Sequence, residues 1–148
     1  MTAAVLWLAE LIATISIGAD MVCAEARDQP EVELVSVAAV VRARADRRRT
    51  SPLRELRRPR QFVTDCPRRN RGAFVAPFLL GLTGAGPALT REAVAFTTKR
   101  AARRVLRRWC ARGLVPIPGT DTAHVFWRVR AAGEPCILGS SRHGRRTR

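Results

Sequence analysis

Residues 97–130 read TTKRAARRVLRRWCARGLVPIPGTDTAHVFWRVR, and this stretch decides the fold of the C-terminal half of the chain. Thr97 and Thr98 predict the start of a helix, because threonine hydroxyls accept hydrogen bonds from the first free backbone N–H groups of a helix. Gly113 predicts its end, because glycine adopts the left-handed conformation that terminates helices. Two apolar runs joined by Pro, Gly and Asp follow and predict a β-hairpin.

The predicted helix has two different faces. Ala102, Val105, Leu106 and Trp109 repeat at intervals of three and four and form an apolar stripe. A helix with this pattern buries the stripe and exposes its other faces, which here carry arginines: Arg100, Arg103, Arg104, Arg107 and Arg108. An exposed helix of this diameter fits the major groove of duplex DNA, which is about 12 Å wide.

Two shorter helices are predicted before this one. The first covers residues 76–82, and the glycines at 84 and 86 end it. The second begins at Thr90 and continues to residue 96, with Glu92 in the first turn, where the helix macrodipole favours an anion. Residues 72–130 are therefore expected to form three helices and a hairpin.

This order of elements resembles the winged helix-turn-helix proteins, whose recognition helix commonly continues through Gly-Leu-Val into a hairpin wing. The sequence RRVLRRWCARGLVPIPGTDTAHVFWRV follows that order, and it departs at Trp109, where leucine is commoner, and in the glycine-rich link before the second helix. The resemblance implies binding of duplex DNA, often by a dimeric transcriptional regulator. By position it implies that the groove-facing residues are Thr98, Arg100, Arg103, Arg104 and Arg107. Thr120 and Arg128 would then contact the flanking DNA backbone.

The composition also favours a polyanionic partner. The chain has a formal net charge of +15, and residues 1–41 contain six acidic residues and a single arginine, so the positive charge lies in the remainder. Such a surplus attracts nucleic acid over long range. Lys99 is the only lysine, and arginine-rich coding bias would produce the same surplus without selection for binding.

Residues 1–41 form an apolar and acidic N-terminal segment. Val5, Leu8, Ile12 and Ile15 recur at helical spacing, which predicts a soluble helix that buries one broad face against the rest of the protein or a second copy. A signal peptide or membrane anchor remains the alternative, and Glu10 and the lack of a basic N-terminal region argue against it. Residues 31–41 fit a strand and a helix equally well.

Residues 42–71 contain twelve arginines and three prolines. Little periodic apolar content is present, so this segment is predicted to be a disordered basic linker. It would either lie along phosphates or remain solvated. Residues 131–148 are predicted to be a basic tail.

The chain carries no recognisable catalytic motif, and it is not expected to be an enzyme or to bind a cofactor. Its four cysteines are scattered, which favours reduced thiols in a cytoplasmic protein. A zinc site formed by Cys110, His124, Cys136 and His143 is the alternative, but these spacings are not those of zinc modules. No metal site is therefore predicted.

The expected fold is mainly α with a small β-hairpin wing: a winged helix-turn-helix over residues 72–130, preceded by an N-terminal helix and the disordered linker. The expected function is duplex DNA binding in transcription regulation, with a possible homodimer through the N-terminal helix. Three alternatives stay open: an RNA-associated protein that uses the arginine-rich segment, a winged-helix module that docks proteins, and a basic protein anchored to a membrane by its first 24 residues.

Overall fold

The computed structural model describes residues 2–119 and 123–137 and is mainly helical, with one small antiparallel sheet. The five α-helices in this part are α1 (Ala3–Ala26), α2 (Glu31–Arg48), α3 (Pro52–Leu56), α4 (Val75–Thr83) and α5 (Lys99–Ala111). Its three strands are β1 (Ala95–Thr98), β2 (Leu114–Pro116) and β3 (His124–Val129). Two 3-10 helices, Arg68–Phe74 and Ala88–Thr90, precede α4 and β1.

Helices α1, α2 and α4 form the main core, and two glycines let them approach closely. A Cβ atom on Gly81 of α4 would lie 2.5 Å from the Cβ atom of Ala38 and 2.5 Å from the carbonyl oxygen of Val35, both in α2. A Cβ atom on Gly18 of α1 would overlap the ring of Phe78, which is fully buried. Both contacts leave no room for any larger side chain.

Only the second half of α1 is buried, which differs from the expectation of one apolar face along its length. Its buried residues are Thr14, Gly18, Ala19, Met21, Val22, Cys23 and Ala26. Val5, Leu8 and Ile12, on the predicted face, are exposed because the described part of the protein packs only against the second half. Residues 31–41, which fitted a strand or a helix, lie in α2.

Residues 42–71 are not a disordered linker, which corrects the prediction from composition. Arg42 continues α2 through Arg48, and α3 follows with a cap at Ser51, whose hydroxyl accepts from the backbone N–H of Arg54. The overall composition of the segment is arginine-rich, but a few of its residues anchor it to the core. Leu53, Leu56 and Cys66 are buried. Glu55 is also buried, and it pairs with Arg48 and Arg58.

The sheet has the order β1-β3-β2, with β3 antiparallel to both neighbours. The hairpin formed by β2 and β3 agrees with the prediction, but β1 does not. Residues 90–96 were predicted to form a helix, and the structure instead has a short 3-10 turn ending at Thr90 and then β1. Strand pairing with β3 supplies backbone partners that a helix of under two turns cannot match. Helix α5 therefore follows a strand and not a helix.

The four cysteines form two disulfides, which corrects the prediction of reduced thiols. Cys23 is bonded to Cys66 and Cys110 to Cys136, with Cα–Cα distances of 5.7 and 5.9 Å, within the usual disulfide range. Each bond joins segments distant in sequence, so the spacing of the cysteines concealed the pairing. Both cysteines of the zinc alternative are thus occupied, and His143 lies outside the described residues.

Candidate nucleic-acid interface

Helix α5 begins directly after β1 and is capped by Thr98. The backbone of Thr98 is extended, and its Oγ1 accepts a hydrogen bond from the backbone N–H of Ala101 at 3.2 Å. The helix ends before Gly113, whose φ of +77° lies in the left-handed region. Both ends match the sequence prediction, and the hydroxyl of Thr98 is used inside the protein.

The apolar stripe of α5 packs on one face of the sheet. Ala102 is buried, and Val105, Leu106 and Trp109 pack around Ala95 and Trp127. The rings of Trp109 and Trp127 meet edge to face, with centroids 4.9 Å apart. Trp127 is fully buried and its indole N–H donates to Thr97 Oγ1 at 3.1 Å. The rotational position of α5 is therefore set by aromatic packing against β3.

The opposite face of α5 consists of exposed arginines, which we call the arginine face: Arg100, Arg103, Arg104, Arg107 and Arg108. At about 100° per residue they occupy an arc of roughly 140°, centred opposite the apolar stripe. None of the five forms an ion pair within residues 2–119 and 123–137. Five guanidinium groups thus point into solvent from a single helix.

One further residue of the predicted site, Arg128, does not join this face. Side chains alternate across a strand, so Arg128 lies on the side of β3 opposite to Trp127 and α5. Its Nη1 donates to Glu134 Oε2 at 2.8 Å. This hydrogen bond raises the pKa of Arg128 and lowers the pKa of Glu134. Thr120 lies outside the described residues.

The predicted list of groove-facing residues omitted two exposed arginines of this helix. Arg108 belongs to the arginine face, and Arg112 is exposed at the C-terminal end of α5. The sequence contained the signal, since Arg100, Arg104, Arg108 and Arg112 follow each other at intervals of four and so lie along one side of the helix.

No protein-family model, curated protein or solved structure matches this chain.

Several arginines of residues 42–71 are used to hold the fold. Arg44 Nε donates to the carbonyl oxygen of Val94 at 2.5 Å, and its guanidinium lies 4.8 Å from the centroid of the Phe62 ring. Burial, followed by the charge of Arg48, lowers the pKa of Arg44 to about 10. Arg71 binds both carboxylate oxygens of Asp20 at 2.6 and 2.7 Å. These guanidinium groups are already engaged, unlike those of the arginine face.

A cavity of about 360 Å³ lies between α2 and the end of α4. Its polar side chains are those of Arg42, Asp46, Thr83 and Arg91. Within the described ranges, no group of three or more His, Cys, Asp or Glu side chains is placed to hold a metal ion.

Proposed function

We propose that this chain binds duplex DNA by placing α5 in the major groove. The observation that carries the proposal is the arginine face, whose five side chains have no ion-pair partner among the described residues. Like charges three or four residues apart on a helix destabilise it, by a few tenths of a kcal/mol per pair. The phosphates of a nucleic acid would relieve this repulsion and release counterions.

The dimensions of α5 suit this role. Its 13 residues extend about 20 Å at 1.5 Å per residue, and the groove is about 12 Å wide. The roughly 140° spread of the arginines directs side chains toward both walls of the groove. A guanidinium group can bind a phosphate through two N–H groups, or guanine through its O6 and N7 atoms.

We also propose that the connection between β2 and β3 acts as a wing. A helix followed by a hairpin is the order that the winged-helix resemblance implies, and regulation of transcription is the role that follows from it. In this chain the sheet supports α5, because Ala95 and Trp127 pack against the apolar stripe of the helix. The prediction had assigned this supporting role to a second helix.

Duplex RNA is the second candidate, and the chemistry of the arginine face favours DNA over it. The major groove of A-form RNA is too narrow and deep for side chains to read, so α5 would contact only phosphates there. Stacking on unpaired bases requires exposed aromatic rings, and the aromatic residue of α5, Trp109, packs against Trp127.

The test measures binding of the full chain to duplex DNA, single-stranded DNA and duplex RNA of matched length over a range of salt concentrations. We expect a preference for duplex DNA and a steep logarithmic salt dependence, since the slope counts the phosphates neutralised. Arg103→Ala with Arg104→Ala should reduce that slope by about two and weaken binding at least tenfold at low salt.

The matched control replaces two exposed arginines outside α5, Arg57→Ala with Arg60→Ala, which removes the same charge. The control should bind nearly as tightly as the unaltered chain. An equal loss for both pairs, or equal binding to all three nucleic acids, would show a general attraction of polyanions and would refute the assignment to α5.

A further inference from the structure

The first half of α1 exposes an unusual amount of apolar side chain. Val5, Leu6, Trp7, Leu8 and Ile12 are between 50% and 66% exposed. Large exposed apolar patches are uncommon on soluble proteins and mark surfaces that something else covers. By length and composition, α1 is also apolar enough to cross a membrane.

The exposure surrounds the helix. Residues 5–8 are consecutive, and at about 100° per residue four consecutive side chains point to all sides. A protein groove or a second copy of the helix would cover one side and leave the others in water. Lipid covers a helix on every side, and helices that are apolar all round are typical of buried or membrane environments.

The second half of α1 cannot enter a bilayer without dismantling the fold. Met21 and Val22 are fully buried in the core, Cys23 is bonded to Cys66, and Asp20 is paired with Arg71. A complete span needs about 20 apolar residues. Residues 3–13 extend only about 16 Å, roughly half of the 30 Å hydrocarbon layer.

We propose that the start of α1 inserts into one leaflet of a lipid bilayer and holds the protein at the membrane surface. The side chains of residues 3–9 carry no charge, and Glu10 follows them. Because the carboxylate of Glu10 stays near the lipid headgroups, the helix inserts to a depth of about 10 Å, the length of residues 3–9. Trp7 is the most exposed of the five apolar side chains, and its indole suits the boundary between lipid tails and headgroups. Insertion of α1 into lipid and the proposed binding of nucleic acid by α5 use different surfaces of the protein.

The test incubates the full chain with phosphatidylcholine vesicles, which carry no net charge, at high salt. We expect the protein to float with the vesicles, and brominated lipid to quench tryptophan fluorescence. Leu6→Glu with Leu8→Glu should reduce vesicle binding at least tenfold. Trp7→Phe should abolish most of the quenching while binding persists, since Trp127 is buried and Trp109 packs against it.

The matched control is Val63→Glu with Leu89→Glu, two positions of similar exposure that lie outside α1. It should bind vesicles like the unaltered chain, and circular dichroism should show all variants folded. Three outcomes would overturn the proposal. The protein could fail to bind neutral vesicles, or it could bind only anionic vesicles and lose that binding at high salt. Trp7 could also be buried in a dimer that does not dissociate when lipid is added.

Discussion

The carboxylate of Glu33, in the first turn of α2, is paired with the imidazole Nδ1 of His124 at the start of β3. Oε1 also accepts from the backbone N–H of His124 at 2.9 Å, and Oε2 from that of Ala123 at 3.2 Å. Both side chains are buried. This pair joins the helical core to the sheet that supports α5, so it fixes the arginine face relative to the rest of the protein.

Replacing Glu33 should therefore destabilise the whole fold. Glu33→Ala removes the partner of two buried groups of His124, its backbone N–H and its imidazole Nδ1, and such a loss costs about 1–3 kcal/mol for each group. We expect a loss of about 3 kcal/mol in the free energy of unfolding, measured by urea denaturation. Glu31→Ala, an exposed position in the same helix, should change it by less than about 0.5 kcal/mol. Similar effects of the two changes would contradict the anchoring role of Glu33.

Trp127 should matter more than Trp109 for stability. Trp127, in β3, is fully buried beneath α5, whereas Trp109, in α5, is half-buried. Trp127→Ala should cost about 3–5 kcal/mol, and Trp109→Ala about half of that because part of its surface is already in water. Thermal unfolding of the two variants checks the order. If Trp109→Ala were the more damaging change, the packing of α5 on β3 would differ from that described.

The two disulfides should each stabilise the fold. They join cysteines 43 and 26 residues apart. Closing loops of this length lowers the conformational entropy of the unfolded chain, which stabilises the folded state by roughly 3–4 kcal/mol for each bond. Cys23→Ser with Cys66→Ser should have the larger effect, because its loop is longer. The measurement compares the melting temperature of each double variant with that of the oxidised chain. Alkylation of four thiols in the folded protein without reductant would contradict both bonds.

Gly81 should tolerate no side chain. The Cβ atom of Gly81→Ala would lie 2.5 Å from atoms of α2, including the backbone carbonyl of Val35. The helices would have to separate, so we expect a loss of about 1–3 kcal/mol in the free energy of unfolding. Gly72→Ala is the control, since a Cβ atom there meets nothing within 4 Å. If Gly81→Ala left the free energy of unfolding unchanged, α2 and α4 would not cross as closely as the structure has them.

The sequence by itself determined the elements whose signals are local. The cap at Thr98, the stop at Gly113 and the apolar stripe of α5 all lie within one helix length, and they predict its limits and its two faces. The β2–β3 hairpin and α4 were predicted for the same reason: each depends on turn residues and periodicity inside a short segment.

Tertiary structure alone decided the features that depend on distant residues. Residues 95–98 form a strand because β3 pairs with them. Arg44 stabilises the fold because its guanidinium group donates to the carbonyl oxygen of Val94 and packs on the ring of Phe62. The partners of Cys23 and Cys110 lie 43 and 26 residues away. Strand pairing, buried charge pairs and disulfides draw their stability from contacts between separate segments. A local sequence pattern carries no record of which segments will meet.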